Sequence, residues 1–443
     1  MNRYVTTFFV FMILMLISAG IFFFFTCYEG EQPVIAISSV PDMIGREKML
    51  EIHCSDRKSG IRLVSVSITQ DEKKYQLETV SIPHRGITEQ VIPVLIHPKD
   101  LKLHDGQATL DISVTDQSLR KNTASKTFTV TIDTVPPRII QLNPLHYANP
   151  GGSAVTVYSI PEEIAETYVY VGDNIFPSYP ITLAGKSCYV CYFALPMDST
   201  GIKDGMIGIA AKDKAGNLAK SSLPIHMRQK SFRDRTMTIS KGFLERKIPD
   251  LEQYNNMIKY ESPIEAFRYI NDRMRAENNE KIRSICQQSA DRQLWKGSFI
   301  RMKNAATMAM FGDKRTYVFE GQKIGTSIHD GVDLASVRNA TVHAANSGTI
   351  AFTGYLGIYG NSILIDHGLG LFSFYAHLET IDVTEKQLVN KGMPIGRTGT
   401  SGWAGGDHLH FGIFVGIQFV DPQEWWDPHW IQDNVDIKLD VAS

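Results

Sequence analysis

Short alternating apolar segments run through most of this sequence, and they constrain its fold more than any other feature. Between residues 33 and 228, segments rich in Val, Ile, Thr and Tyr are separated by clusters of Gly, Pro, Asn and Asp. A strand with one buried face alternates in this way, and clusters of turn-forming residues end it. From Trp295 onward the pattern returns in segments that read SILIDHG, LFSFYAHL and HLHFGIF. The sequence therefore predicts a mainly β protein.

Two segments of the first β region resemble each other, which indicates an internal duplication. They read LDISVTDQSLRKN at residues 110–122 and IGIAAKDKAGN at residues 207–217. Asp116 and Asp213 occupy matching places in the two copies. Each copy is a unit of strand, Asp, turn and Asn.

This repeated unit resembles the end of bacterial immunoglobulin-like domains. The DTVPPRI segment at residues 133–139 resembles a linker between two such modules, and its two prolines enforce extended backbone. We therefore predict two immunoglobulin-like β-sandwiches, at residues 31–136 and 137–230. Sandwiches of this kind serve as spacers or binding modules, so they indicate no activity by themselves.

A short helical insert is predicted between the two β regions, within a linker at residues 231–293. Ser262 is placed to cap a helix, with Pro263 at the first helical position and Glu265 three residues after the cap. The apolar face of this helix comprises Ile264, Phe267, Ile270 and Met274. We expect a packing connector, although its position ahead of the last domain leaves open a role in blocking a site there.

An uncharged segment of 22 residues, from Val5 to Thr26, lies near the N-terminus. At ~1.5 Å per helical residue it is long enough to cross the ~30 Å hydrocarbon layer of a membrane. The alternative is a cleaved signal peptide, but such a peptide has an apolar core of about 7–15 residues and a small-residue cleavage site, which this segment lacks. Arg3 before the segment and Glu31 after it place the N-terminus inside. We predict a transmembrane anchor at residues 1–30.

The charge balance is close to neutral, with 45 Lys and Arg against 47 Asp and Glu and a formal net charge of −2. Such a chain has no overall positive field for polyanions, so we predict no nucleic-acid partner. The five cysteines are scattered and do not form the pattern of a disulfide framework. Cys188 and Cys191 have the spacing of a metal knuckle, but a second pair is missing, so we interpret them as small buried apolar residues.

Three histidine-bearing segments lie in the last β region. SIHDGVDLA holds His329 and Asp333, FYAHL holds His377, and DHLHF holds His408 and His410. On a strand, residues two apart point to the same face, so the last two rings would face one groove. Two histidines and one carboxylate form a known ligand set of catalytic zinc, which keeps a fourth position open for water. The pattern indicates a metal-dependent hydrolytic centre.

The stretch from about residue 311 to 425 resembles a known family, the lysostaphin-like (LytM-type) zinc metallopeptidases of the peptidoglycan endopeptidase family. The segments that carry the resemblance follow in the order FGDKRTY, HDGVDLA, GIYGNSILIDHGLGLFSFYAHL, VNKGMPIGRTGTSGWAGGDHLHFGI and VDPQEWW. The resemblance implies an all-β, barrel-like metallopeptidase domain at residues 294–443. It also implies Zn²⁺ as the cofactor, with His329, Asp333 and His410 as metal ligands.

By the same resemblance, His377 and His408 are catalytic residues that stay off the metal. They would orient the attacking water and either stabilise the developing oxyanion or protonate the leaving amine. The remaining nine of the 13 histidines are interpreted as structural or exposed. The glycine-rich GTSGWAGG segment is interpreted as a mobile rim of the substrate groove with Trp403 exposed, not as a phosphate-binding loop.

The resemblance implies a membrane-anchored zinc metalloendopeptidase that hydrolyses peptide bonds in the stem peptides or cross-links of peptidoglycan. It would be a single-pass protein of the bacterial inner membrane, with the bulk of the chain on the outer or periplasmic side. The expected partners are peptidoglycan, the membrane through the N-terminal helix, and an envelope protein bound by the immunoglobulin-like modules. Two alternatives remain: a catalytically idle envelope protein that binds peptidoglycan or regulates another wall hydrolase, and a peptidase of non-wall proteins.

Overall fold

The structure of the chain is a computed structural model. It describes residues 3–28, 30–38, 41–143, 146–198, 201, 205–255 and 260–440. Parts of all five predicted segments therefore lie outside the described residues: positions 1, 2 and 29 of the anchor, 39–40 of the first immunoglobulin-like domain, 144–145, 199–200 and 202–204 of the second, 256–259 of the helical insert and 441–443 of the last domain. With 45% strand and 18% helix, the chain is mainly β, as the alternating segments predicted.

The chain forms two compact units, each of which is discontinuous in sequence. The first unit consists of Met1–Pro137, Glu163–Glu166 and Lys212–Ala219. The second unit consists of Arg138–Glu162, Thr167–Ala211 and Lys220–Ser443. The domain boundaries at residues 136, 230 and 293 stay predictions.

The first unit contains one helix, α1 (Arg3–Cys27), and eight strands. The strands are β1 (Val34–Ile37), β2 (Met43–Ile44), β3 (Lys48–Ser55), β4 (Ile61–Gln70), β5 (Lys73–Ser81), β6 (Glu89–Ile96), β7 (Gly106–Asp116) and β8 (Thr123–Ile132). One sheet has the order β1-β3-β6 and the other has the order β2-β8-β7-β4-β5. Every second residue of β7 is buried from Ala108 to Asp116, and apolar residues of both sheets share one core. One buried face per strand is what the alternation predicted.

The matching residues Asp116 and Asp213 have the same local contact in both copies of the repeated unit. Both side chains are buried, and each accepts a hydrogen bond at 2.8 Å from the side-chain amide of an asparagine farther along, Asn122 in one copy and Asn217 in the other. A buried carboxylate that accepts from donors of the following turn fixes how the chain leaves the strand. The repeated sequence thus encodes a repeated turn.

No helix in the described part of the chain is both long enough and apolar enough to cross a membrane. The predicted transmembrane anchor, and with it the prediction of a single-pass protein of the bacterial inner membrane, is therefore wrong.

Ten further strands lie between residues 140 and 227. They are β9 (Ile140–Gln141), β10 (His146–Ala148), β11 (Ser153–Ser159), β12 (Ile164–Val171), β13 (Asn174–Pro177), β14 (Tyr179–Leu183), β15 (Lys186–Ala194), β16 (Ile207–Asp213), β17 (Leu218–Ser222) and β18 (Ile225–Met227). They form sheets with the orders β14-β15-β11-β9, β13-β12-β16-β17 and β10-β18. Cys188 and Cys191 lie in β15, and both are free and buried, as predicted.

The rest of the second unit combines a large sheet with two groups of helices. The strands are β19 (Asp234–Thr238), β20 (Ala306–Ala309), β21 (Lys314–Phe319), β22 (Gln322–Ile328), β23 (Val332–Ala335), β24 (Thr341–His343), β25 (Gly348–Tyr355), β26 (Asn361–Asp366), β27 (Leu371–Ile381), β28 (Leu388–Val389), β29 (Pro394–Thr398), β30 (Leu409–Val415) and β31 (Gln418–Val420). The α-helices are α2 (Lys241–Asn255), α3 (Pro263–Arg268), α4 (Arg275–Cys286), α5 (Pro422–Trp426), α6 (Pro428–Ile431) and α7 (Ile437–Asp440). Short π-helices cover Tyr269–Met274 and Gln432–Asp436, and a 3₁₀ turn covers Gly357–Tyr359.

These strands form a three-stranded sheet, β19-β21-β22, and a ten-stranded sheet. The main path of the larger sheet is β20-β23-β30-β27-β26-β25-β28, while β29 pairs with β24 and β27, and β31 pairs with β30. The central strands are buried on both faces. On one face Phe372 and Phe374 of β27 share a core with Ile270 and Met274 of the helical insert. On the other face the Tyr375 ring packs against Phe411, which in turn stacks on Trp426 of α5.

The helical insert begins as predicted but is not one regular helix. The Ser262 hydroxyl accepts a hydrogen bond from the Glu265 N–H at 3.2 Å, and Pro263 is the first residue of α3. Phe267, Ile270 and Met274 are buried, as the apolar face predicted. However, a π-helix separates α3 from α4. Such segments occur often at functional sites, and they change the direction in which the following side chains point.

A buried carboxylate joins α5 to the strands of residues 138–230 within the second unit. Glu424 is 6% exposed. Its two oxygens accept hydrogen bonds at 2.8 Å from the Asn149 side-chain amide and from the Ser153 N–H. A Cβ atom at Gly152 would lie 2.3 Å from a Glu424 oxygen, so only glycine allows this approach. The contact therefore depends on matched residues in both segments.

A buried lysine makes a second contact of this kind. Lys438, in α7, is 7% exposed, and its ammonium donates to the Val155 carbonyl at 3.1 Å. The Lys438 carbonyl accepts from the Asn143 side-chain amide, also at 3.1 Å. The C-terminal helices are thus hydrogen-bonded to the strands of residues 138–230 through both a side chain and the backbone.

Replacing Glu424 with Gln should make the free energy of unfolding less dependent on pH. Burial raises the pKa of Glu424 from 4.5 to about 7, although hydrogen bonds from Asn149 and Ser153 act in the opposite direction. The folded state therefore holds this proton more tightly than the unfolded state, and the stability present below pH 4.5 is lost as the pH rises through about 7. At ~1.4 kcal/mol per pH unit, the wild type should lose about 3 kcal/mol relative to the variant over this range.

Urea unfolding at about pH 5 and about pH 8, followed by tryptophan fluorescence, measures this difference. All five tryptophans lie at residue 295 or beyond, so their fluorescence reports on the second unit. The exposed Glu320→Gln variant controls for the loss of one carboxylate. Parallel pH dependence in the wild type and the Glu424 variant would contradict the expectation.

Candidate metal centre

Three of the predicted site residues meet where β22, β23 and β30 come together. His329 directly follows β22, and Asp333 lies in β23. Asp333 is paired with His410 of β30 in antiparallel register. Paired residues on neighbouring strands project to the same face, which explains how positions 77 apart in sequence become neighbours. All three side chains are buried or nearly so.

The geometry of these three residues fits a tetrahedral cation. His329 Nε2 lies 2.9 Å from Asp333 Oδ1 and 3.1 Å from His410 Nδ1, and the last two atoms are 3.0 Å apart. Ligand atoms at about 2.0–2.1 Å from a tetrahedral Zn²⁺ are about 3.3 Å from one another. A few tenths of an ångström of expansion would therefore admit the ion. His329, Asp333 and His410 could hold a metal.

Hydrogen bonds around the cluster fix which atoms face its centre. His329 Nδ1 contacts the Met310 carbonyl at 2.8 Å, and because a carbonyl only accepts, this nitrogen carries the proton and Nε2 stays free as a ligand. Asp313 holds the loop by accepting from the Met310 N–H at 3.1 Å. Arg315 donates to Asp333 Oδ2 at 3.0 Å, so Oδ1 alone faces the histidines.

His377 and His408 lie beside the cluster, with their ring centroids 4.8 Å apart. His377 has a φ of 61°, which is uncommon outside glycine, and it sits where the pairing of β27 with its neighbours shifts register. Its Nδ1 donates to the Ser401 carbonyl at 2.9 Å, and His408 Nδ1 donates to the Gly406 carbonyl at 2.8 Å. Both rings therefore present Nε2 to the same groove.

The five predicted site residues thus lie together, while their individual roles stay predictions. The bulge in β27 is what brings His377 to the groove, not the simple alternation of the strand. His408 Nε2 lies 3.6 Å from Asp333 Oδ1, farther than the corresponding atoms of His329 and His410. This separation is consistent with three ligands and two neighbouring groups that could transfer protons.

Burial and neighbouring charges shift the pKa values of the site residues. Burial would raise the pKa of Asp333, but the charge of His329 and hydrogen bonds from three histidines hold it well below its usual range. Burial lowers the pKa of His410 to about 4 and that of His377 well below its usual range. Burial also disfavours charged His408, yet contact with Asp333 raises its pKa. For Asp333 and His410, the ionised carboxylate and the neutral imidazole are the forms that bind a divalent ion.

A groove of about 390 Å³ opens onto the cluster. Trp403 lines it but is half-buried, not exposed as predicted. Its ring packs against Phe243 of α2 at a centroid distance of 4.8 Å and lies 6.0 Å from Phe267 of α3. The helical insert therefore supplies aromatic neighbours that the local glycine-rich sequence did not indicate.

Sequence reasoning missed several residues of this groove. Arg315 lies in the quoted FGDKRTY segment, but only the structure places it against Asp333. Tyr359 lines the groove, with its ring 5.7 Å from that of His410. Arg275 comes from the helical insert, outside the stretch that resembles known peptidases, so no sequence signal marked it.

Replacing Gly331, which lies against the His410 ring, with Ala should disturb metal binding more than replacing a glycine that lines the groove. A Cβ atom there would lie 2.5 Å from the Phe411 carbonyl and 2.8 Å from the His410 ring, so the ligand ring must move. Crowding of this kind costs typically 1–3 kcal/mol, and we expect metal affinity to fall at least about tenfold. Competition titration with a chelating dye measures this. Gly405→Ala is the matched control because that position faces open space, and equal affinity in both variants would count against the expectation.

The segment that contains the candidate metal centre matches a known family. Residues 327–422 match the model of Peptidase family M23. The predicted resemblance to lysostaphin-like peptidases is thereby confirmed for this part of the chain. The match begins at residue 327, so it does not include the helical insert or the strands that precede the insert in sequence.

Individual relatives agree with this assignment. The DD-carboxypeptidase/endopeptidase Mpg of Neisseria meningitidis serogroup B is 37% identical over 95 residues, which is 21% of this chain and 22% of that protein. The peptidoglycan DD-endopeptidase ShyB of Vibrio cholerae is 32% identical over 111 residues, 25% of each chain. The chain thus matches only about a quarter or less of the length of these relatives. Among solved structures, the catalytic domain of the antimicrobial peptidase lysostaphin from Staphylococcus simulans is 26% identical, with 30% of this chain and 98% of that chain covered and a TM-score of 0.25.

Proposed function

We propose that this protein is a zinc metalloendopeptidase that hydrolyses peptide bonds in the stem peptides or cross-links of peptidoglycan. One observation carries the proposal: His329, Asp333 and His410 present three ligand atoms within 3.1 Å of one another on the wall of a groove. The names of two relatives, a DD-carboxypeptidase/endopeptidase and a peptidoglycan DD-endopeptidase, support the choice of substrate.

His329, Asp333 and His410 would hold the Zn²⁺ ion. When bound, Zn²⁺ polarises the scissile carbonyl and makes water acidic enough to attack near neutral pH. Arg315 keeps Asp333 in place through its second oxygen. Since burial lowers the pKa of His410 to about 4, its ring nitrogen is available as a ligand near neutral pH without the loss of a proton.

His377 and His408 would transfer protons during the reaction. Each ring is oriented by a hydrogen bond from Nδ1 to a backbone carbonyl, which leaves Nε2 directed at the groove. With ring centroids 4.8 Å apart, the pair can accept a proton from the attacking water and donate to the developing negative charge or to the leaving amine. A peptide bond needs this second proton transfer because an amine leaves poorly without it.

We further propose that residues 31–136 and 137–230 are two immunoglobulin-like modules that space or bind partners in the cell envelope. Paired sheets with a shared core support this for the first module, and two four-stranded sheets support it for the second. Binding of an envelope protein by these modules is part of the same proposal.

Digestion of purified peptidoglycan tests the proposed function. Full-length protein is assayed for zinc content and incubated with cross-linked muropeptides, whose products are identified by mass spectrometry. We expect new amino termini, loss of activity after chelation and its return with Zn²⁺. Casein is the control substrate, and preferred cleavage of casein would instead favour a peptidase of non-wall proteins. Zinc-loaded protein that cleaves neither substrate would favour a catalytically idle wall-binding protein.

A further inference from the structure

The helical insert contributes a positively charged side chain, Arg275, to the groove of the candidate metal centre. Arg275 is the first residue of α4, directly after the π-helix, and it lines the groove together with all five predicted site residues. It lies outside the peptidase domain of residues 327–422. A charged group that enters a site from a separate segment can set what the site accepts.

A buried asparagine supports the Arg275 side chain. Asn271, in the π-helix, is 3% exposed, and its side-chain amide donates to the Thr326 carbonyl of β22 at 2.9 Å. The Arg275 Nε donates to the Asn271 carbonyl at 3.1 Å, and a terminal nitrogen contacts the Asn271 side-chain oxygen at 3.4 Å. These contacts use two of the five guanidinium N–H groups and leave the others for a ligand.

Among the described residues, no carboxylate of the protein lies within 4.0 Å of the Arg275 guanidinium. The other groove arginine, Arg315, is paired with Asp333. Asp330 also lines the groove, but it contacts the Tyr359 hydroxyl at 3.5 Å, not Arg275. A half-buried guanidinium held by neutral groups is a favourable site for a planar anion.

Arg275 and Tyr359 line the same groove as the metal centre. The Tyr359 ring in turn lies 5.7 Å from the ring of His410. A peptide advances about 3.3–3.6 Å per extended residue, so a substrate with its scissile bond at the metal would place a neighbouring residue near Arg275.

We propose that Arg275 binds a free carboxylate of the substrate in the same groove as the scissile bond, and so selects wall peptides whose carboxylates are not amidated. This rests on the proposed function, which supplies a peptide with free carboxylates. Arg275 is a specificity-determining residue here and takes no part in bond cleavage. The bidentate geometry of guanidinium and carboxylate explains why the position holds arginine.

Paired substrates and paired variants test this assignment. The substrates are purified cross-linked muropeptides and the same muropeptides with their carboxylates converted to carboxamides. The variants of the full-length chain are Arg275→Gln, Arg275→Lys and Arg273→Gln. Arg273 is the matched control because it lies in the same segment but pairs with Glu277 on the exposed side of the helix, at 2.8 Å. Zinc content is measured for every protein.

We expect amidation to lower kcat/KM of the wild type and of Arg273→Gln by about ten- to a hundredfold, mainly through KM. Arg275→Gln should lose a similar factor on the native peptide and show no further loss on amidation, while Arg275→Lys should keep part of the preference. Equal sensitivity to amidation in Arg275→Gln and the wild type would overturn the assignment. Calorimetric binding of both peptides distinguishes the two proposals: if the wild type prefers the native peptide in binding but does not cleave it, only the proposed function fails.

Discussion

Replacing His410 with Ala should remove zinc from the purified protein and lower turnover of cross-linked muropeptides at least about a thousandfold. His410 Nδ1 is one of three ligand atoms, and the two that remain, from His329 and Asp333, cannot enclose an ion. Loss of groups that only support a ligand typically costs 10–100-fold, so loss of the ligand itself should cost more. Metal analysis by mass spectrometry and the kinetics of muropeptide cleavage measure the two effects.

The His410 ring is buried, so its removal also leaves a cavity. Asp333→Asn therefore serves as a second variant, since it keeps the volume of the side chain but loses its charge. His343→Ala is the matched control, because His343 is an exposed histidine of the same sheet that lies away from the groove. Activity retained by either ligand variant, in protein that unfolds at the wild-type temperature, would reject the zinc mechanism.

Replacing His377 or His408 with Asn should leave zinc in place and lower kcat by about 10²–10⁴-fold. Neither ring contributes one of the three clustered ligand atoms, while each presents Nε2 to the groove. Asparagine is chosen because it tolerates the left-handed backbone that His377 adopts, with φ at 61°. Steady-state kinetics on muropeptides, together with metal analysis of the same preparations, separate proton transfer from metal binding.

The double variant sharpens this test. If the two histidines act as one unit, the double variant should be little worse than either single variant, because effects of residues in one catalytic unit do not add. If the fold loss of kcat in the double variant equals the product of the losses in the two single variants, the two histidines have independent roles. Loss of zinc from either single variant would contradict the division between ligands and proton-transferring groups.

Much of the fold follows from local sequence. Alternation of apolar residues predicts the strands because burial of one face is the main gain available to them, and the buried positions of β7 follow that rule. The capping residues Ser262 and Pro263 predict where α3 begins because the chemistry of a helix start is local. The π-helix after Arg268 had no local signal, since packing of the insert against the sheet decides it. The apolar N-terminal segment led to a wrong prediction, because sequence hydrophobicity alone does not establish a spanning helix.

The candidate site was predictable in its residues and not in its geometry. Spacing placed His408 and His410 on one face, the set of histidines and a carboxylate added His329, Asp333 and His377, and resemblance to a family implied the role of each. The bulge that turns His377 into the groove depends on three neighbouring strands, which one segment cannot reveal. The role of Arg275 could not be predicted from the sequence, because only the tertiary position of the insert brings Arg275 to the groove.

Glu424 in α5 and Lys438 in α7 limit which fragments of this protein can replace the whole chain in experiments. A fragment that starts near residue 294 would contain every predicted site residue, yet it would expose Glu424 and Lys438, whose partners lie at residues 143–155. It would also lack Arg275. We therefore expect recombinant fragments cut to the recognisable peptidase sequence to test the proposed bond cleavage, but to misrepresent both the thermal stability and the proposed substrate preference of the full chain.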